Sequence, residues 1–322
     1  MTTPRIGLLL GTRGMVMKAQ REGARPSAEG MLALAERAEA AGLDSVWVGD
    51  SLVSKPRLEP VAAMCAIAAR TSRVRIGTAV LLPAIRPPVP LAHSLATADI
   101  ISGGRIVAGA GVGGAFTPDQ RQDWTAAGVD PDRRAGRFTE SVRLMKRLWT
   151  EDAVTFEGRH FNLEDVTLDP KPLQPGGVPL LLATHYRTGS EAQVRRAARY
   201  GDGVIGITDG PEQFAQVVAR VDEAAAVEGR DMTSFQRAYY LTVNLGADKQ
   251  ASEAEAHDFL LNYYKVAHWG SSWGPWGAPG DVAARIREFA DASADTVIVR
   301  FASWDQPAQW ERFEQEVWPH FA

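Results

Sequence analysis

The stretch that most constrains this chain is Val74–Gly114, VRIGTAVLLPAIRPPVPLAHSLATADIISGGRIVAGAGVGG. Val74–Leu81 is an apolar run rich in β-branched residues, broken by Pro83, Pro87 and Pro88, which cannot continue a ladder. From Val89 to Ser102 the period becomes helical, with Leu91, Leu95, Ala98 and Ile101 on one side. Gly103 and Gly104 stop that helix, and Ile106–Gly109 begins a second apolar strand. Strand, helix and strand make a βαβ unit, whose parallel strands are buried on both faces and therefore read as continuous apolar runs. The residues at the strand ends are small. Thr78, Ala79 and Val80 end one strand, while Gly111, Gly113 and Gly114 follow the other, so a flat ligand could lie against backbone there.

The same rhythm runs along the rest of the chain. Arg5–Leu10 reads as a first strand, followed by a Gly/Arg loop and a helix capped by Ser27 and closed by Gly42. Ser45–Val48 is strand two, and Glu59–Arg70 a helix. Ala115–Arg133 is a long polar loop expected to fold over the ligand end, and Arg134–Trp149 an amphipathic helix. A small hairpin over Ala153–Leu168 precedes strand five at Pro179–Ala183, and structural cover or a dimer contact is its favoured role. Gly203–Ile207, Gln236–Leu245 and Asp295–Val299 supply strands six to eight, with helices at Pro211–Val227, Ser252–Val266 and Asp281–Ala292. Eight strands alternating with about eight helices predict an α/β fold, a (β/α)8 TIM barrel. One domain over residues 1–322 is expected, with insertions after strand 4, before strand 5 and after strand 7.

Composition narrows the partners. A formal charge of −4, from 35 basic and 39 acidic residues, gives no bias toward nucleic acid. The one cysteine, Cys65, sits in an apolar helix and permits no internal disulfide, which suits a reducing cytosol. No apolar run approaches the ~20 residues of a membrane span, and Met1–Arg5 leads straight into a strand without a signal peptide. A cytoplasmic protein is the expectation. The six histidines are scattered without metal-ligand spacing, so no metal site is expected, and no GxSxG elbow or placed nucleophilic cysteine appears.

Candidate site residues cluster after the strands. Asp50 and Ser51 follow strand two, where a polar pair reads as catalytic or, equally, as a helix cap or loop-ordering carboxylate. Gly109, Gly111 and Gly114 match GxGxxG, but no helix opens on them, so the dinucleotide reading fails. Strand five ends in Thr184-His185-Tyr186-Arg187-Thr188-Gly189-Ser190 before a helix. Free N–H groups at that first turn, a flexible Gly189 and Arg187 suit a phosphate. The segment His268–Gly280, HWGSSWGPWGAPG, places Trp269, Trp273 and Trp276 among glycines and prolines. A lid that dries a pocket is the preferred reading, ahead of an aromatic plug at a subunit contact.

The central stretch, with AEAAGLDSVWVGDSL before it and LMKRLWTEDAVTFEGRHF, PKPLQP and RRAARYGDG after it, resembles the luciferase-like flavin oxidoreductases over roughly Arg5–Ile207. That family includes deazaflavin F420-dependent enzymes, and its members are (β/α)8 barrels, often dimeric, holding reduced FMN or F420 at the strand C-termini. The resemblance implies a cofactor seated on Thr78, Ala79 and Val80, with a cis peptide at Ala79–Val80, and on Gly111, Val112 and Gly113. It implies cofactor phosphate at Tyr186, Arg187, Thr188, Gly189 and Ser190. Three departures stand out. The sugar-phosphate dehydrogenase branch has a histidine where this chain has Ser51 and an acidic residue at Gly114, and the luciferase branch has an arginine at Val112.

Sparse side-chain chemistry fits a cofactor that carries the reaction. The first reading is a monooxygenase using reduced FMN and O2 on a small, largely apolar substrate, supplied by a separate flavin reductase. The alternative is F420-dependent hydride transfer, with a separate F420 reductase, and the third is a non-catalytic flavin carrier. Asp50 is the expected catalytic residue.

Overall fold

In the computed structural model, which describes residues 3–187, 191–265, 267, 270 and 273–322, the alternation closes into a ring. The first four barrel strands are β1 (Arg5–Leu9), β2 (Ser45–Val48), β3 (Arg75–Leu81) and β4 (Ile106–Ala110). An antiparallel hairpin follows, β5 (Val154–Glu157) and β6 (Asn162–Val166). The barrel resumes with β7 (Leu180–Ala183), β8 (Gly203–Gly206) and β9 (Gln236–Leu245), and β11 (Thr296–Phe301) completes it. The two-residue β10 (Trp276–Gly277) pairs with the end of β9. All barrel pairings are parallel; β11 pairs with both β9 and β1, and the β8–β9 pairing closes the ring.

Both faces of these strands are covered, which is why they read as unbroken apolar runs. Leu9, Trp47, Val107, Leu181, Ile205 and Ile298 fill the barrel interior, while a larger shell packs strands against helices. Trp47 needs room: a Cβ at Gly7 or Gly77 would collide with its indole.

The helices are α1 (Gly14–Glu22), α2 (Glu29–Ala41), α3 (Pro60–Arg70), α4 (Pro88–Ser102), α5 (Pro118–Ala126) and α6 (Arg134–Thr150). After them come α7 (Glu191–Tyr200), α8 (Pro211–Val227), α9 (Lys249–Tyr264), α10 (Pro279–Asp291) and α11 (Gln306–Arg312). Proline starts α3, α4, α5, α8 and α10, where its missing N–H costs nothing. Among the described residues no helix is long and apolar enough to cross a membrane.

The three predicted insertions are present, and two local readings change. The expected loop after β1 contains α1, a short helix of nine residues whose only buried residue is Ala19; its Met15 and Met17 pack partly buried against the core. Ala28, not Ser27, precedes α2; the Ser27 hydroxyl instead accepts the Glu29 N–H at 3.3 Å. The Ala79–Val80 peptide is cis, and the β3–β4 register shifts between Thr78 and Leu81.

Candidate active site

A cavity of about 520 Å3 opens at the C-terminal ends of the strands, the end of such barrels where loops build the chemistry. One wall is flat and apolar. Ala79 and Val80 from β3, Gly111, Val112 and Gly113 after β4, Ala183 from β7 and Ile205 from β8 face it. A Cβ on Gly111 would stand 2.9 Å from Val80 Cγ2 and 3.5 Å from Ala183 Cβ, so these strand ends meet only because that side chain is absent. Gly113 has φ +82, a conformation that suits glycine. Thr78 lies behind this wall, fully buried, with its hydroxyl donating to the Gly109 carbonyl at 2.9 Å.

The cover comes from the β4–α6 insertion. Thr117 and Gln120 form a capping box at the start of α5, and Gln120 Oε1 also accepts the Phe116 N–H. Trp124 donates its indole N–H to the Gly114 carbonyl. Asp123 reaches across and accepts from the Val53 and Ser54 N–H groups and the Ser54 hydroxyl, all at 2.7 Å. The Ser51 hydroxyl donates to the Lys55 carbonyl. The β2–α3 loop is therefore held from both sides.

Asp50 lines the cavity, yet its side chain is fully enclosed. Both oxygens are taken by Arg86, at 2.6 and 2.9 Å, and Oδ2 also accepts the Leu82 N–H at 2.8 Å. The arrangement matches a loop-ordering carboxylate, the second of the two roles open to it in the sequence.

Cations without carboxylate partners among the described residues occupy two places. Beside α6 and α7, Arg134 and Arg196 line the cavity with His185 and Gln193. Among the described residues the Arg134 Nε is buried without a hydrogen-bond partner, and its guanidinium lies 5.6 Å from the Phe116 ring. Burial pushes His185 below its ordinary value, and Asp209, 4.0 Å away, offsets this in part.

The other place joins the β2–α3 loop to α9, β9 and β11. Lys55 sits 4.8 Å over the Tyr264 ring and Arg13 4.8 Å over the Tyr263 ring. Arg57 Nη2 donates to the Tyr263 hydroxyl at 3.3 Å, and Arg300 Nη1 to the Tyr264 hydroxyl at 2.8 Å. Burial lowers Arg13 to about 10. Burial also lowers Lys55 to about 8, with Arg13 and Arg57 adding repulsion against the attraction of Tyr263. Burial alone would raise Tyr263, but Arg57, Arg300, Arg13 and Lys55 outweigh it and bring the phenol below its ordinary value. Tyr240 and Tyr264 move the other way, raised by burial.

The structure thus gathers Asp50, Ala79, Val80, Gly111, Val112 and Gly113 on one cavity. Tyr186 and Arg187 are exposed and outside its lining, and Thr188, Gly189 and Ser190 lie outside the described residues. The tryptophans correct the lid reading. Trp273 and Trp276 are buried in a cluster with Phe259, Leu260 and Tyr263 and do not line the cavity; Trp269 lies outside the described residues. Pairing of β10 with β9 holds Trp276 in that cluster, and Tyr263 and Tyr264 face the cavity instead. Sequence reasoning missed Lys55, Arg57, Arg134, Arg196 and the three tyrosines. One signal was available: Arg300 is a charge inside the apolar strand TVIVRF.

Comparison with known proteins gives the class. A family model described as luciferase-like monooxygenase matches residues 5–296, and the chain belongs to that family of oxidoreductases. An F420-dependent glucose-6-phosphate dehydrogenase from Kineococcus radiotolerans is 28% identical, the match covering 97% of this chain and 99% of that one. A relative of the same name from Nocardia farcinica is 30% identical, over 89% of this chain and 92% of its own length. The crystal structure of a monooxygenase from Streptomyces bottropensis superposes with a TM-score of 0.81 at 26% identity, covering 99% of this chain and 100% of that one.

Proposed function

We propose that this chain is an F420-dependent oxidoreductase that exchanges hydride with a small organic substrate in the cavity. The observation that carries F420 ahead of FMN is the end-to-end likeness to relatives named as F420-dependent. The residues present fit such a group. The wall closes only without a Cβ at Gly111, and the buried Arg134 Nε has no partner among the described residues. When bound, the deazaflavin supplies a ring carbon that accepts or gives hydride.

Ala79, Val80, Gly111, Val112 and Gly113 would seat the ring system. Arg134 and Arg196, with the predicted Thr188–Ser190 turn, would take its anionic tail, because cations without carboxylate partners attract phosphate and carboxylate. Trp124, buried beside Gly114, would help keep water from the ring. Ser51 and Gly114 replace the histidine and acidic residue of the sugar-phosphate branch, so glucose 6-phosphate is not carried over as the substrate. A cycle on F420 also calls for a second F420 enzyme to restore the cofactor, and a homodimer is the assembly this reading expects.

Likeness to the Streptomyces bottropensis monooxygenase favours a second reading, oxygenation with reduced FMN. Anaerobic titration of the apo-protein with F420 and with FMN, each reduced and oxidised, separates the two. F420 should bind at least ~10-fold tighter, about 1.4 kcal/mol. Tighter FMN binding, with oxygen consumed on admission of air, would replace this proposal with the monooxygenase.

A further inference from the structure

Three tyrosines share the corner between α9, β9 and β11, and one of them is set apart. Tyr264 already accepts a charge-assisted hydrogen bond from Arg300, and Tyr240 is buried beneath that same guanidinium, 5.2 Å from it. Tyr263 lines the cavity, and its hydroxyl accepts from Arg57. Arg57 in turn lies against the flat wall. A Cβ on Gly49 would fall on Arg57 Nη1 and stand 3.8 Å from the Ala79 carbonyl oxygen. The guanidinium that holds the Tyr263 hydroxyl thus lies near the wall at Ala79–Val80, on the same cavity.

Charge around this ring is one-sided. Arg13 comes from the start of α1, Lys55 and Arg57 from the β2–α3 loop and Arg300 from β11; Tyr240 on β9 and Tyr264 on α9 complete the shell. Among the described residues none of these four cations has a carboxylate within ion-pair distance, while Arg13 Nη1, Arg300 Nε and Arg300 Nη2 are buried without hydrogen-bond partners. Other acids and bases of the cavity are engaged elsewhere. Asp50 is held by Arg86 and Asp123 by the Val53–Ser54 backbone, and His185 sits beside Asp209 on the β7 side.

Resting on the F420 reading, we propose that Tyr263 is the catalytic residue that exchanges a proton with an alcohol or carbonyl substrate as hydride moves to or from the cofactor. In the oxidising direction the substrate C–H bond breaks and its electron pair leaves with the hydrogen as hydride to the deazaflavin. The O–H proton passes to the Tyr263 phenolate, and the carbonyl double bond forms. Reduction reverses both transfers, the phenol giving its proton to the new alkoxide oxygen. Arg57 favours the phenolate at the moment it must accept, the role that a general base tuned toward the working pH performs. The four cations explain why this phenol, unlike its two neighbours, titrates below its ordinary value.

The test uses the full chain and two variants, Tyr263→Phe, which keeps the ring and so its packing on Phe259, and Arg57→Gln. Near-ultraviolet difference titration of the cofactor-free protein should show one tyrosine ionising ahead of the others. That early step should vanish in Tyr263→Phe and move to higher pH in Arg57→Gln. With F420 and propan-2-ol or cyclohexanol as probes, Tyr263→Phe should lower kcat by about 100- to 1,000-fold and change the F420 Kd by less than about threefold. The rise of kcat with pH should disappear in Tyr263→Phe and shift upward in Arg57→Gln, which a purely structural tyrosine would not produce. An early ionisation that persists in Tyr263→Phe, or a pH limb that survives there and is lost instead in Lys55→Met, overturns the proposal while F420 binding still upholds the cofactor reading. Failure of the wild-type chain to bind F420 overturns the cofactor reading and this step with it. Should neither alcohol react, the difference titration decides alone.

Discussion

At the N-terminal end of the barrel, Arg105 donates to the carbonyls of Ser102, Val74, Thr71 and Ala68 and to the Thr71 hydroxyl, over 2.6–3.1 Å. At the C-terminal end, Arg300 is more deeply buried, and among the described residues its Nε and Nη2 have no partners. The contrast extends beyond these two arginines. Asp202 accepts from Lys146 and the Leu180 N–H, Asp295 from Arg5 and the Arg237 N–H, and Glu39 from the N–H groups of Ser72, Arg73 and Val74. Near the mouth the acids are spent on loops, and among the described residues Lys55, Arg57, Arg13 and Arg134 have no carboxylate partner. A buried charge left unmatched costs free energy, so the concentration of such cations around the cavity favours the receipt of an anionic group there. Matched charge holds the bottom of the barrel together, and unmatched charge at the top is available to a ligand.

The largest predicted effect concerns the exception at the mouth, the closed Asp50–Arg86 pair. Asp50→Ala leaves Arg86 without its main partner and should cost about 3 kcal/mol in urea unfolding. The double variant Asp50→Ala/Arg86→Ala should recover part of that loss, since an unpaired buried charge is the main penalty. Activity of the surviving folded protein should fall less than stability. Unchanged stability with abolished turnover would restore Asp50 as a catalytic group and weaken the division between the two ends.

How far the sequence carried this division depends on the range of each interaction. Barrel strands are covered on both faces and punctuated by proline and glycine, so Gln236–Leu245 and the helix Pro211–Val227 were legible to the residue. The flat wall was legible because Ala79 and Gly111 are small residues placed at strand ends. The tyrosine–cation corner was not. Arg57 and Tyr263 are 206 residues apart, and nothing local announces that ring closure brings them together. Trp273 and Trp276 were misread for a different reason: glycine-flanked aromatics suit a lid or a plug at a subunit contact, and nothing local shows that these two pack against Phe259, Leu260 and Tyr263.

At the matched end, Glu39 gives a smaller and strictly pH-dependent effect. Partial burial would raise its carboxyl, but the N–H groups of Val74, Arg73 and Ser72 hold it at about 2, below the ordinary 4.5. A depressed carboxyl contributes in full above the unfolded value and loses its contribution as pH falls through the folded one. Glu39→Gln should therefore lower unfolding free energy by on the order of 1 kcal/mol at neutral pH, discounted for solvent. That difference should shrink as pH falls from 4.5 toward 2. Turnover should not change. A difference that holds constant into acid would mean the carboxylate charge is irrelevant and the turn is held by shape alone.

The smallest effect is the titration of Lys55, and it tests the unmatched end directly. Burial and the repulsion of Arg13 and Arg57 set this amine at about 8, against an ordinary 10.5. Below 8 the lysine is charged in both folded and unfolded chains, so the full burial penalty is carried at neutral pH; as pH rises from 8 toward 10.5 the folded chain sheds its proton first and the penalty is relieved. The stability gained in that window should be well under ~1 kcal/mol, because the side chain is only partly buried, and Lys55→Met should not show it. A sharper readout is chemical. Acetylation of Lys55, followed by peptide mass mapping, should accelerate through about pH 8. An anionic cofactor bound in the cavity should push that acceleration to higher pH by supplying the missing counter-charge. If Lys55 reacts only near the ordinary lysine range in the cofactor-free protein, the mouth already holds a balancing anion of its own, and the difference between the two ends of the barrel collapses.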